Sequence, residues 1–195
     1  TRMLRTMRQN GWTSLGVTSP TAGCGKTTTS VNLAFSFAHQ PDVKTVLADL
    51  DLRRPGVAKL LGVTEAQSMA SVLQGTRPLS ENFVRYGENL AIGTNATAVR
   101  SSSELLLSPT TAQGVATIRQ GFQADVVIYD LPPMLASDDV MAFLPHLDCV
   151  LLIAAAERAR LDEVDKCEQD LAEQTNLLGV VLNKCRYMGE DYGYY

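Results

Sequence analysis

The feature that most constrains this chain lies near its start. Leu15-Gly16-Val17 runs through Thr18-Ser19-Pro20-Thr21-Ala22-Gly23-Cys24-Gly25 into Lys26-Thr27-Thr28. An apolar strand, a turn holding two glycines and a helix opening on Lys-Thr-Thr make one unit, the phosphate-binding loop. Gly23 and Gly25 let backbone N–H groups turn inward around phosphate oxygens with no Cβ in the way. A helix beginning near Lys26 aims its positive dipole end at the same anion. Lys26 is placed to reach the β- and γ-phosphates of ATP, Thr27 to offer its hydroxyl to Mg²⁺, and Thr28 to bond the α-phosphate. Pro20 stands where the usual pattern has its first glycine.

Such a loop needs strands and helices in alternation, and the rest of the chain provides them. Thr45–Asp49, Asn89–Ile92, Asp125–Asp130, Cys149–Ile153 and Leu178–Leu182 read as strands, the second of them weakly. Their Val/Ile/Leu runs are continuous, which predicts strands covered on both faces. Helical segments are expected over 26–39, 111–122 and 160–174. The predicted class is α/β: a P-loop NTPase fold with a mostly parallel central β-sheet flanked by helices on both faces. A chain of 195 residues is one domain of ordinary size. Residues 1–186 are expected to form it, with 1–10 as an N-terminal helix and 187–195 as a tail.

Composition excludes several classes of function. Hydrophobic residues at 45% and charged residues at 19% exclude a wholly disordered chain. The net charge of −4 argues against a nucleic-acid face. No apolar run approaches the roughly 20 residues that span a bilayer, and no secretory signal is visible. Cys24, Cys149, Cys167 and Cys185 form no CxxC pair, and only His39 and His146 accompany them, so a zinc site is not expected. Scattered single cysteines suit a reducing cytoplasm. The chain opens on Thr1 rather than Met, as a piece of a longer protein would.

Two further motifs end strands in acid. Asp49 and Asp51 close the second strand in Ala48-Asp49-Leu50-Asp51-Leu52-Arg53, and Asp130 closes another in Tyr129-Asp130-Leu131-Pro132-Pro133. Ligands of open α/β sheets bind at the carboxyl ends of strands. Three carboxylates there, beside a phosphate loop, suit a hard cation that keeps several waters. At the far end, four of the six tyrosines (Tyr187, Tyr192, Tyr194 and Tyr195) fall within the last nine residues. A segment that short reaches up to roughly 30 Å.

These motifs together resemble the bacterial tyrosine kinases, or BY-kinases, of capsule and exopolysaccharide synthesis. That family carries a phosphate loop, then three apolar residues followed by Asp-x-Asp-x-Arg, then three apolar residues followed by Asp-x-Pro-Pro, and a terminal tyrosine cluster. Val46 to Arg53 and Val126 to Pro133 match the second and third motifs. The family's N-terminal helix carries Glu-x-x-Arg-x-x-Arg, which drives ring-shaped oligomers; Arg2 and Arg5 match its arginines.

The resemblance implies ATP and Mg²⁺ as cofactors. Gly23, Cys24, Gly25, Lys26, Thr27 and Thr28 would bind ATP, and Asn183 would read the adenine edge as in related ATPases. Thr27, Asp49, Asp51 and Asp130 would serve the metal. Lys26, Asp49, Asp51, Arg53 and Asp130 would be catalytic, with Arg53 steadying the transferring phosphoryl group and one of Asp49 or Asp51 taking the phenol proton. Tyr187, Tyr192, Tyr194 and Tyr195 would accept phosphate in trans. The implied partners are further copies of the chain in a ring, and a membrane polysaccharide chain-length regulator, fused or separate, that holds the domain at the inner face of the plasma membrane. Nucleic acid is not among them. The competing reading is a switch ATPase like those of cell division and plasmid partition. Those carry a lysine five residues before the invariant one, where this chain has Thr21.

Overall fold

The computed structural model describes residues 2–156 and 158–186, which hold a seven-stranded sheet. In chain order its strands are β1 Ser14–Thr18, β2 Thr45–Asp49, β3 Phe83–Tyr86, β4 Leu90–Gly93, β5 Val126–Asp130, β6 Cys149–Ala155 and β7 Asn176–Asn183. Across the sheet the order is β3-β4-β2-β5-β1-β6-β7. Every pair is parallel except β3 with β4, so the expected class holds. The family of strands that carries the motifs is contiguous: β5 lies between β1 and β2, with Val17 and Asp49 both in register with Asp130. The phosphate loop and both acidic strand ends therefore meet at one edge.

Alternation along the central strands separates two cores. Val46 and Ala48, Val127 and Tyr129, and Val150 and Leu152 face one way. They pack under α4 Met69–Leu73, α5 Ser102–Leu107, α6 Pro109–Phe122, α7 Asp139–Phe143 and α8 Leu161–Ala172. Leu47, Ile128, Leu151 and Ile153 face the other way, under α1 Arg2–Asn10, α2 Lys26–Ala38 and α3 Val57–Leu61. Burial on both faces is why these strands read as unbroken apolar runs.

β7 departs from that expectation. It is an edge strand paired only with β6, and Val180, Val181 and Leu182 remain 42%, 36% and 63% exposed. An unbroken apolar run does not by itself mean double coverage. The short elements β3, α3, α4, α5 and α7 span four to six residues each, too few for a periodic pattern to reveal. On α1, Leu4 and Met7 are buried while Arg2, Arg5 and Arg8 face outward. Among the described residues no helix is long and apolar enough to cross a membrane. The tail tyrosines lie outside the described residues.

Candidate functional site

The loop between β1 and α2 is pinned from below. Thr18 Oγ1 donates to the Pro132 carbonyl at 2.7 Å, tying the start of the loop to the chain after β5. Gly23 and Gly25 take φ of +83° and +95°, left-handed values that a Cβ would strain. Gly25 also caps α2 without any side-chain hydrogen bond, so the first N–H groups of the helix have no capping side chain.

Lys26 begins α2 almost fully buried. Its Nζ donates to Asp51 Oδ2 at 2.7 Å and lies 3.9 Å from Asp130 Oδ2. Thr27 Oγ1 donates to Asp130 Oδ2 at 2.7 Å, and Ser30 Oγ donates to Asp130 Oδ1 at 2.9 Å. Ser30 stands one helical turn beyond Lys26, and its hydroxyl also lies 3.0 Å from the Lys26 carbonyl. Asp130 is completely buried, which pushes its pKa up; Lys26, Thr27 and Ser30 counter that push by stabilising the charged form.

Asp49 and Asp51 differ in task although one residue separates them. Asp49 is fully buried, and its carboxylate accepts backbone N–H bonds from Asp51 at 3.2 Å and from Gly56 and Val57 at 3.0 Å. It shapes the turn that carries Asp51, Arg53 and Arg54. Burial, then the nearby Asp130 charge, raise its pKa to about 7. Asp51 instead pairs with Lys26 and lines a cleft of about 580 Å³ whose floor is the loop. The three carboxylates expected to share one cation thus have different partners within the protein, although Asp49 still lies close enough to Asp130 to feel its charge. Asp49 serves backbone amides, and among the described residues no group of three or more His, Cys, Asp or Glu side chains is disposed to hold a metal. Thr27 donates to Asp130, and the Lys26 ammonium stands between Asp130 and Asp51. Hard oxygen donors so few in number fit Mg²⁺, which keeps waters and takes phosphate oxygens for the rest.

Arg53 lines the same cleft but is tethered from behind. Its Nε donates to Asp139 Oδ2 at 3.1 Å, and its Nη2 donates to Asp139 Oδ1 at 3.3 Å and Ser103 Oγ at 3.0 Å. Asp139 is fully buried and also accepts from Ser102 Oγ at 2.6 Å and from Ser103. Burial alone would raise its pKa; the bonds from Arg53, Ser102 and Ser103 outweigh that and hold it below the usual carboxylate range.

Asn183 and Lys184, at the end of β7, grip the loop from the opposite side. Asn183 Nδ2 donates to the Cys24 carbonyl at 2.9 Å and Lys184 Nζ to the Gly23 carbonyl at 2.7 Å. A Cβ on Gly25 would sit 2.3 Å from Asn183 Nδ2, so a side chain there would also push the Asn183 amide off the loop. The Asn183 amide is thus engaged with the backbone of the loop. Thr28 lines the cleft, whereas Cys24 is buried beneath the loop.

Sequence reasoning passed over Ser30, Ser102, Ser103, Asp139 and Lys184. Ser30 had a signal, four residues after Lys26 on the same helical face. Asp139 and its serines had none, because they are joined to Arg53 only through tertiary contacts.

Residues 12–194 match the protein family described as ParA: NUBPL iron-transfer P-loop NTPase. The chain is 33% identical over 185 residues to tyrosine-protein kinase CpsD of Streptococcus pneumoniae, covering 92% of this chain and 79% of that protein. Among solved structures it is similar to the kinase domain of VpsO, with a TM-score of 0.85 and 27% identity, covering 95% of this chain and 92% of that one. It is also similar to the kinase domain of the Escherichia coli tyrosine kinase ETK, with a TM-score of 0.79 and 28% identity over 98% of this chain and 79% of that one.

Proposed function

The chain belongs to the bacterial tyrosine kinases within the ParA-like P-loop NTPases, and we propose that it is an ATP-dependent autokinase that phosphorylates its own terminal tyrosines in trans, so regulating exopolysaccharide or capsule synthesis and export. The observation that carries this reading is the Lys26 ammonium, held between Asp51 and Asp130 directly under a cleft floored by the phosphate loop.

Each residue has a derived task. The loop amides and the α2 N-terminus bind phosphate oxygens, and Lys26 supplies a fixed positive charge where negative charge moves during transfer. Thr27, Asp51 and Asp130 would hold Mg²⁺, which when bound neutralises phosphate charge. Asp49 acts indirectly, by fixing the turn that presents Asp51 and Arg53. A free phenol has a pKa near 10 and needs a base or a nearby cation at neutral pH. Asp51 alone of the three carboxylates lines the cleft, which supports it over Asp49 in that task. Arg53, pre-oriented by Asp139, would steady the phosphoryl group without having to find its conformation during the reaction.

The outward-facing Arg2 and Arg5 would join copies of the chain into a ring. A membrane chain-length regulator, fused or separate, would bring the ring to the inner face of the plasma membrane. The deciding experiment is purified protein with Mg²⁺ and ATP, followed by mass spectrometry of residues 187–195. Phosphate on Tyr187, Tyr192, Tyr194 or Tyr195 supports the autokinase. Release of free phosphate with unmodified tyrosines supports a switch ATPase instead.

A further inference from the structure

Arg53 and Arg54 are consecutive, exposed and line one cleft, yet their surroundings are opposite. Arg53 is fixed by Asp139 and Ser103. Arg54 is fixed only through its backbone, whose N–H donates to Asp51 Oδ1 at 3.1 Å. Among the described residues its guanidinium has no hydrogen bond or ion pair. An arginine presented at a cleft mouth with five donors and no internal partner is suited to an incoming carboxylate. Pro132, Pro133 and Ala136 line the same cleft and offer an apolar wall for an aromatic ring.

We propose that Arg54 is a specificity determinant, selecting acceptor tyrosines that follow acidic residues. This rests on the autokinase reading and names the substrate class of that same cleft. The tail contains one such acceptor, Tyr192, preceded by Glu190-Asp191. Tyr187 follows Arg186, Tyr194 follows Gly193 and Tyr195 follows Tyr194, so the four tyrosines are unequal substrates. The transfer itself is the ordinary one. The phenol oxygen bonds to the γ-phosphorus as the bridging P–O bond to ADP breaks, and the phenol proton leaves to Asp51 or water. Arg54 sets which phenol arrives. Acidic tyrosine segments of other proteins would be taken by the same rule.

A charge-swap experiment tests this. Two isotope-labelled acceptors, both inactive through Lys26→Met, carry either the natural tail or Glu190→Lys with Asp191→Lys. Wild-type and Arg54→Glu kinases are each given both acceptors, and the initial rate of phosphate incorporation at the acceptor's Tyr192 is read by mass spectrometry. The wild type should prefer the acidic tail by about twofold to fivefold, the scale of one exposed ion pair. Arg54→Glu should reverse the preference, and Arg54→Lys should keep it. Each kinase is judged by its own ratio, so a kinase that folds poorly lowers both rates together. Equal rates on the two tails, or a preference unchanged by Arg54→Glu, would overturn the proposal and leave the autokinase standing. Hydrolysis of ATP with no tail phosphorylation in any pairing would overturn the autokinase reading, and the proposal with it.

Discussion

The floor and the rim of the cleft are built on different electrostatic terms. On the floor, Lys26, Asp51, Asp130 and Ser30 are buried and, with the half-buried Thr27, are packed at hydrogen-bond distances. At the rim, Arg53, Arg54 and Lys184 are exposed, and two of the three are tethered to partners behind them. A charge on the floor interacts strongly because water screens it poorly, so any change there should alter the chemical step. A rim charge is screened, so changes there should alter which molecules bind and how well they are aligned. The difference teaches that one cleft separates making the reaction possible from choosing its reactants.

The largest expected effect tests the floor. Lys26→Met removes the ammonium shared by Asp51 and Asp130 and should lower tail phosphorylation by about 10³-fold or more. Quantitative phosphotyrosine analysis checks this, and retained phosphorylation would break the comparison at its base. The next effect is on stability. Burial and Asp130 raise the Asp49 pKa from 3.8 to about 7, so the folded protein holds a proton that the unfolded chain releases near pH 4. That stabilisation is complete below about pH 4 and is lost as pH rises through about 7. Between about pH 6 and pH 8 the loss amounts to about 1 kcal/mol, or about 2–4 °C in melting temperature for a chain of this size. Thermal unfolding of chelator-treated protein should show that drop, and Asp49→Asn should reduce it. An equal drop in both would show that Asp49 does not bind that proton.

How much of this was legible follows from the range of each interaction. The loop, Lys26, Thr27 and Asp130 could be read because their chemistry is written in short contiguous motifs at strand ends. Asp49 and Asp51 were legible as a pair but not as individuals: only the fold of 49–57 turns one toward backbone amides and the other toward Lys26. Asp139 lies 86 residues from Arg53 and was invisible, since nothing local to Asp-Asp-Val-Met announces a distant guanidinium. β7 misled in the other direction, because an apolar run carries no mark of whether a strand is central or at the edge.

The two rim tethers give the smaller effects and sharpen the comparison. Asp139→Asn keeps the shape of the residue but loses the charge that holds Arg53. It should lower kcat by about tenfold with little change in the KM for ATP, as loss of alignment does. If Arg53→Ala already shows the same deficit, adding Asp139→Asn should lower kcat no further, because the two act as one unit.

Lys184 should matter least. Its Nζ reaches the Gly23 carbonyl at 2.7 Å from an exposed position, holding the outer strand of the loop rather than the buried floor. Lys184→Met removes that bond and leaves the Asn183 contact to Cys24 in place. The loop should then be less well ordered before nucleotide binds, raising the KM for ATP about threefold to tenfold while kcat holds, the scale of one partly screened charged hydrogen bond. Steady-state kinetics separates the two parameters. A fall in kcat as large as that from Asp139→Asn would move Lys184 from the rim to the floor, and the division drawn between them would have to be redrawn by contact with the loop rather than by burial.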